Sequence, residues 1–341
     1  MDKGFSLSVI IPAKNEDKNI CRCLESVVQA TCLIKNTEMI LVDSASTDKT
    51  VEKADCYPVK ILRLKPVWFL SASAARHIGT FFASGEFIFF LDADMTLEAS
   101  FLEKAMAFLS QDKKIAGAGG IGKEIYLKEE EETGIKPNLY NTPGLVKKVN
   151  FLGGAGLYRA SALREVGSFN PYLRAAEEIE LAQRLRQKKY SLVSLPEPMI
   201  NHYTAPLGKW EEFIRKKKSG LFIGIGEALR ICRTLKYLWE NLFYYKTFTL
   251  FILFALYAAM ILTCAMLLAS LKFTSLILLP LLIVFLYLLF KKGSFKIAGL
   301  SLIKWLILSL DITYGLSLSP SNPDGYPKDP DILRGNFNVE K

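Results

Sequence analysis

The stretch that decides the fold is FIFFLDADMT, Phe87 to Thr96. Five consecutive apolar residues, three of them phenylalanine, run into two aspartates separated by a single alanine. A short run this apolar reads as a strand buried on both faces. Such a strand is a costly place to end on two carboxylates unless something pairs them. Asp92 and Asp94 therefore call for a cation. Carboxylate oxygens suit magnesium or manganese, which in turn bridge phosphate oxygens. A DxD triplet alone is a weak signal; its position at the end of a buried strand strengthens it.

The segments upstream repeat the pattern. SLSVIIP (6–12), TEMILVDS (37–44) and VKILRL (59–64) read as strands. Helical stretches follow from about Asp17 to Ala30, after Thr47-Asp48, and over SASAARHIGTFFAS (71–84). Near-continuous apolar strands alternating with helices predict a parallel α/β sheet covered on both faces. In such sheets ligands bind beyond the carboxyl ends of the strands. Pro12-Ala13-Lys14-Asn15-Glu16, Asp43 and Asp92-Ala93-Asp94 fall at those ends, so three polar clusters converge on one rim. No P-loop glycine-lysine motif and no GxGxxG follows the first strand, which disfavours a P-loop nucleotidase and a dinucleotide site. Lys123 to Asn150 fits neither helix nor strand and reads as a solvated excursion, with a lid over the site as the functional alternative.

Composition points to a second, different region. Half of the 341 residues are hydrophobic, and the mean hydropathy is +0.21. The excess sits late in the chain. Thr247 to Leu271 and Phe273 to Phe290 carry no charge, and each is close to the roughly 20 residues a helix needs to cross a bilayer. The segment 298–318 is also apolar but contains Lys304 and Asp311, so it could span or lie flat. Between Lys209 and Lys236 stand eight Lys/Arg against three Glu. A basic stretch there, interleaved with Trp210, Phe213 and Phe222, favours a membrane surface over nucleic acid as the partner of a chain with net charge +9. With Lys291, Lys292 and Lys296 after the second span, 247–290 reads as a hairpin returning to the cytoplasm. The N-terminus shows no signal peptide, so the domain ahead of the hairpin is expected on the cytoplasmic face of the cell membrane. The six cysteines and two histidines form no zinc-like grouping. The proline-bearing tail reads as irregular.

Five ordered segments carry a resemblance: SVIIPAKNE (8–16), LVDSASTDKT (41–50), ASAARHIGTFFASGEFIFFLDAD (72–94), FLGGAGLYRASALREVGSFN (151–170) and EEIELAQRLRQKKY (177–190). Together they resemble, over roughly residues 6 to 203, the motifs of family 2 glycosyltransferases. The resemblance implies a GT-A fold, a Rossmann-like nucleotide-diphospho-sugar transferase domain over 1–206. The hydropathy then divides the rest into a basic juxtamembrane segment (207–246), a transmembrane hairpin (about 247–271 and 273–290) and a third apolar segment with the tail (291–341). By position, the resemblance places Pro12, Ala13, Asn15 and Glu16 in the nucleotide loop, Asp43 at the base and Arg76 near the nucleotide. It makes Asp92 face ribose and metal, with Ala93 between it and Asp94, the direct ligand of Mn or Mg. Gly153 and Gly154 would lie where backbone approaches sugar and acceptor. His202 stands near a place where some relatives use a histidine as a further metal ligand; a hydrogen-bonded histidine at a strand end is the plain alternative.

The acidic pair Glu177-Glu178 would supply the catalytic base. Glu178 shares a helical stripe with Leu181 and Leu185 and is expected to turn inward, leaving Glu177 the less buried. Two departures stand out: His77 replaces the usual asparagine, and Glu178 the usual aspartate. The QxxRW signature of processive synthases is absent, which favours transfer of a single sugar. The reading is an inverting, metal-dependent transferase that uses a UDP- or GDP-sugar and a lipid or lipid-linked acceptor. A sugar-nucleotidyltransferase and a catalytically silent membrane scaffold are the alternatives.

Overall fold

A computed structural model describes residues 6–128, 131–136, 144–231 and 285–337. The chain divides into two units, one of residues 1–208 with 321–341 and one of residues 209–320.

The first unit is built on the strand that opened the sequence reading. β4 (Phe87–Phe90) is buried at every position and pairs in parallel with β1 (Leu7–Ala13), itself buried throughout. β1 pairs in parallel with β2 (Thr37–Asp43), and β2 with β3 (Lys60–Arg63). α1 (Ile20–Thr31) and α3 (Ala72–Phe82) bury their apolar stripes against the sheet, after the short α2 (Thr50–Ala54) is counted in chain order. The parallel expectation holds for these four strands, and antiparallel strands interrupt it beyond β4. β9 (Gly156–Arg159) runs antiparallel to β4 and to β6 (Ile115–Lys128). β10 (Ser191–Thr204) runs parallel to β6 and antiparallel to β5 (Met95–Leu97). The sheet is therefore mixed, with its parallel half holding the converging strand ends.

Two regions depart from the sequence reading. Lys123–Asn150 is not a structureless excursion among its described residues. β6 continues to Lys128 and folds back on β7 (Glu131–Lys136), while β8 (Lys147–Val149) pairs with β10. The glutamates and lysines of this ladder lie on exposed strand faces, which hid the two-residue period. The tail is also ordered. β11 (Asp331–Arg334) adds an antiparallel edge strand to β3, so the described residues from 321 to 337 belong to the first unit.

The unit is completed by α4 (Phe101–Gln111), α5 (Ala160–Val166) and α6 (Glu177–Gln187). The described cysteines, Cys21, Cys23, Cys32 and Cys56, are free.

The second unit contains α7 (Lys209–Lys218), α8 (Leu221–Arg230) and α9 (Phe295–Ser317). Phe222, Ile225, Leu229, Leu308 and Ile312 form its small core. Gly226 and Gly315 let α8 and α9 touch backbone to backbone, since a Cβ on either would collide with the other helix. The two charges inside the third apolar segment have partners. Asp311 accepts from Lys217 Nζ at 2.7 Å, and Lys304 lies over the rings of Trp210 and Phe213. Among the described residues no helix is long and apolar enough to cross a membrane. The expected hairpin, apart from 285–290, lies outside the described residues.

Candidate active site

The rim is formed where β1, β2 and β4 end. Asn15, with a left-handed φ of 55°, is a conformation asparagine tolerates better than most residues. Its N–H donates to Ser46 Oγ and its Oδ1 accepts from Thr47 N, both at 2.9 Å. Glu16 N donates to Thr50 Oγ1. The loops after β1 and β2 are thereby laced together. Asp43 is fully buried; it accepts from Ser46 N and, at 2.8 Å, from Arg63 Nε. Arg63 also donates to Ser46 O, fixing the carboxylate to its own loop.

Pro12, Ala13, Lys14, Glu16, Ser44, Ser71, Ala72, Asp92, Ala93 and Asp94 line one cleft. It gathers three carboxylates. Burial, with the nearby charges of Asp94, Asp92 and Asp48, raises the Glu16 carboxyl to about 7 despite a hydrogen bond from Asn19. Burial also raises Asp92, to about 6; the Arg76 charge opposes the rise and Asp94 adds to it. Asp94 accepts through Oδ2 from His202 Nε2 at 3.1 Å, while its Oδ1 is buried without a hydrogen-bond partner. An orphaned carboxylate oxygen in a crowd of carboxylates fits a cation. The three expected ligands do not close into a cage: among the described residues no group of three or more such side chains is gathered for a metal. Asp92 is turned to Arg76 instead. A magnesium-type ion, which keeps few protein ligands and fills its shell with waters and substrate phosphates, still suits Asp94 with His202.

Arg76 is the centre of the arrangement. It is 2% exposed. Its Nη2 donates to Asp92 Oδ1 at 2.6 Å and its Nη1 to Glu177 Oε1 at 2.5 Å, with Glu178 Oε1 at 3.7 Å. The guanidinium fork thus binds the strand-end aspartate to the acidic start of α6. The same contact reverses the expected order of the acidic pair. Glu177 is buried and Glu178 is the more exposed, at 8% and 18% of their side chains. The helical stripe is real, since Leu181 and Leu185 are buried. But Ala176 adopts a left-handed φ of 61° just ahead of the helix, and the first turn is oriented by Arg76 rather than by the stripe. Glu178 remains unpaired by a short bond. Burial, then repulsion from Glu177, lifts its carboxyl to about 8, with Arg76 only partly opposing.

Gly154 packs on this cluster so closely that a Cβ there would land on Asp92 Oδ2; Gly153 is half-buried just before it. His77 donates from Nδ1–H to Phe169 O at 2.9 Å and takes no part in the cleft. His202 lies within β10, paired with Met95, rather than after a strand. Lys14 lines the cleft with the rest of its strand-end cluster. Sequence reasoning missed Ser44, Ser71 and Ala72 as lining residues; Ser44 adjoins Asp43, and Ser71 carries an N-cap signature, its side chain accepting from Ala74 N.

Residues 8–167, within the first unit, match the profile of "Glycosyl transferase family 2". A poly(ribitol-phosphate) beta-glucosyltransferase of Bacillus spizizenii is 28% identical over 203 residues, covering 55% of this chain and 31% of that protein. Glycosyltransferase AglE of Haloferax volcanii is 26% identical over 219 residues, 60% of this chain and 68% of that one. The chain thus spans under a third of the length of one curated relative and about two thirds of the other. A crystal structure of GalNAc-T7 with UDP, GalNAc and Mn2+ superposes with a TM-score of 0.51 at 18% identity, covering 68% of this chain and 48% of that one. That likeness defines the fold, GT-A-like and mixed α/β, and the relatives define the domain as that of a glycosyltransferase.

Proposed function

We propose that the protein moves one sugar from a nucleotide-diphosphate sugar, with inversion, to a lipid or lipid-linked acceptor at the cytoplasmic membrane face. The observation that carries this reading is the bridge through Arg76, which ties Asp92, a cleft-lining strand-end aspartate, to the helix-initial acid pair. The relatives named above are themselves glycosyltransferases, and the neighbouring crystal structure contains UDP and Mn2+, which supports a UDP-type donor.

Inversion is one displacement, so it needs an acceptor freed of its proton and a leaving diphosphate whose charge is neutralised. Asp94, with His202 behind it, would hold a divalent cation, which when bound neutralises the departing diphosphate. Asp92 and the backbone at Gly154 border the sugar. Glu178 accepts the acceptor proton, and its elevated affinity for protons suits a base working near neutral pH. Arg76 and Glu177 orient the two acidic groups without touching the reacting atoms. Membrane attachment is supported by the basic last turn of α7, Arg215 to Lys218, and by exposed apolar side chains of α9 such as Phe295, Ile303 and Leu310.

The test is release of nucleoside diphosphate from a panel of UDP- and GDP-sugars, with Mn2+ and membrane lipid extract present. Lipid-dependent release from one donor with a labelled lipid product is expected. Release without lipid dependence argues against the acceptor class, and no release from any donor favours the silent-scaffold reading.

A further inference from the structure

The tail reaches the cleft walls. Tyr326 lies about two hundred and fifty residues downstream of the loop it contacts, yet it is 2% exposed and belongs to the core of the first unit. Its hydroxyl donates to Phe69 O at 2.7 Å. Its ring meets Trp68, Tyr172 and His77 edge-on, with centroids 5.7, 5.4 and 6.0 Å away. A second tail residue, Asp329, pairs with Lys65 at 2.6 Å.

These contacts fall on two particular loops. The first, 64–71, leaves β3 and ends at Ser71, which with Ala72 lines the cleft. The second, 168–176, leads into Glu177 and Glu178. The two loops are already joined by Ser71 Oγ to Pro171 O and Ser73 Oγ to Asn170 O. Tyr326 sits where they meet, with Phe69 and Tyr172 in mutual ring contact at 5.9 Å. His77, whose Nδ1 bonds Phe169 O, forms the fourth side. Aromatic rings packed edge-on add specific geometry to burial. A partly buried carbonyl that loses a donor is penalised beyond the bond itself.

We infer that Tyr326 is a positioning residue for the donor site: it clamps the loop ahead of the cleft-lining Ser71-Ala72 against the loop ahead of the acidic pair, and so holds the cleft and the acidic pair in register. The inference rests on reading the cleft as the donor site. It also explains why a segment that looks irregular in sequence belongs to the first unit although the second unit precedes it in the chain. β11 anchors the strand edge, while Tyr326 and Asp329 reach the loops.

The experiment compares full-length wild type, Tyr326→Phe, Tyr326→Ala and Phe337→Ala. Phe337 serves as control because it is also in the tail but its ring contacts are made to Phe82, at 5.2 Å, and to Lys60. Two readouts are used: calorimetric affinity for UDP and GDP with Mn2+, and hydrogen exchange at residues 66–74 and 171–178. Tyr326→Phe removes one net hydrogen bond, so nucleotide affinity should fall about 3- to 10-fold with little change in melting temperature. Tyr326→Ala should fall further and speed exchange in both loops. Phe337→Ala should leave affinity and loop exchange at wild-type values even where it lowers the melting temperature. Wild-type affinity in Tyr326→Phe, with unaltered loop exchange in both Tyr326 variants, overturns the inference. Failure of wild type to bind either nucleotide instead refutes the donor-site reading, and loop exchange then decides the clamp alone.

Discussion

Replacing Arg76 by methionine is the perturbation to which the described cluster is most sensitive. The methionine fills most of the volume but leaves Asp92, Glu177 and Glu178 facing one another without a cation. Their side chains are 31%, 8% and 18% exposed, so water screens them only in part. Removing one partner of a buried ion pair costs about 3–5 kcal/mol, mostly because the remaining charge is stranded. The variant should lose about that much at about pH 8. The loss has a sign that depends on pH. With Arg76 gone, the folded Asp92 and Glu178 carboxyls hold protons more tightly still, whereas in the unfolded chain they titrate near their ordinary values of about 4. The folded variant therefore carries about one proton more than folded wild type, and its stability falls as pH rises, by about 1.4 kcal/mol per unit per proton. Between about pH 5.5 and about pH 8 the deficit should grow by roughly 3 kcal/mol, and at the acid end only lost hydrogen bonds, about 1–2 kcal/mol, should remain. Urea unfolding of both proteins in EDTA at the two pH values measures this directly. A deficit under about 1 kcal/mol at the alkaline end, or one that is equal at both, refutes the view that Arg76 neutralises the cluster.

Glu178→Gln should keep fold and nucleotide binding but lower turnover by roughly 10²–10⁴-fold, the usual range for a general base. Turnover within a few fold of wild type, as for an acceptor already ionised, removes Glu178 from that role. In wild type, kcat/KM should rise with pH and level off near the Glu178 value of about 8; a flat profile contradicts the assignment. Because that carboxyl is raised above its unfolded value, the stability it contributes is full at acid pH and lost as pH rises through about 8. Glu178→Gln should accordingly be more stable than wild type on the alkaline side, and a melting temperature lower there would count against it. Gly154→Ala should displace Asp92 and weaken nucleotide affinity at least tenfold, since the added Cβ meets a carboxylate and not a yielding side chain; unchanged affinity would show that the loop moves freely. Single cysteines at 272 and 292 in otherwise cysteine-free protein should label from outside the cell only at 272, and labelling at 292 would reverse the proposed topology.

What was legible in the sequence followed from short-range rules. FIFFLDAD announced both a buried strand and its polar end, and SVIIPAKNE and TEMILVDS did the same for the neighbours, because period and hydrophobicity are local. The same rules placed Asp92, Asp94 and Glu16 on one rim. They failed where a long-range contact governs. The helical stripe of α6 pointed Glu178 inward and Glu177 outward, but Arg76, a hundred residues earlier in the chain, claims Glu177. The antiparallel strands β5, β9 and β11 are three or four residues long, too short to display a period, so a mixed sheet read as parallel. Tyr326 stands among prolines, where a turn-rich composition masks a residue that the fold buries. Asp311 looked out of place in an apolar segment until its partner Lys217 was found on another helix.

The central claim is that the strand-end aspartates hold a donor diphosphate through a divalent cation, and calorimetric titration of UDP and GDP into wild type and Asp94→Ala, each with Mn2+ and with EDTA, tests it most directly. The account predicts that one nucleotide binds wild type tightly only when Mn2+ is present. Asp94→Ala, still folded, should lose that metal-dependent gain. Equal affinity with Mn2+ and with EDTA in wild type, or an undiminished Mn2+ effect in Asp94→Ala, would contradict it.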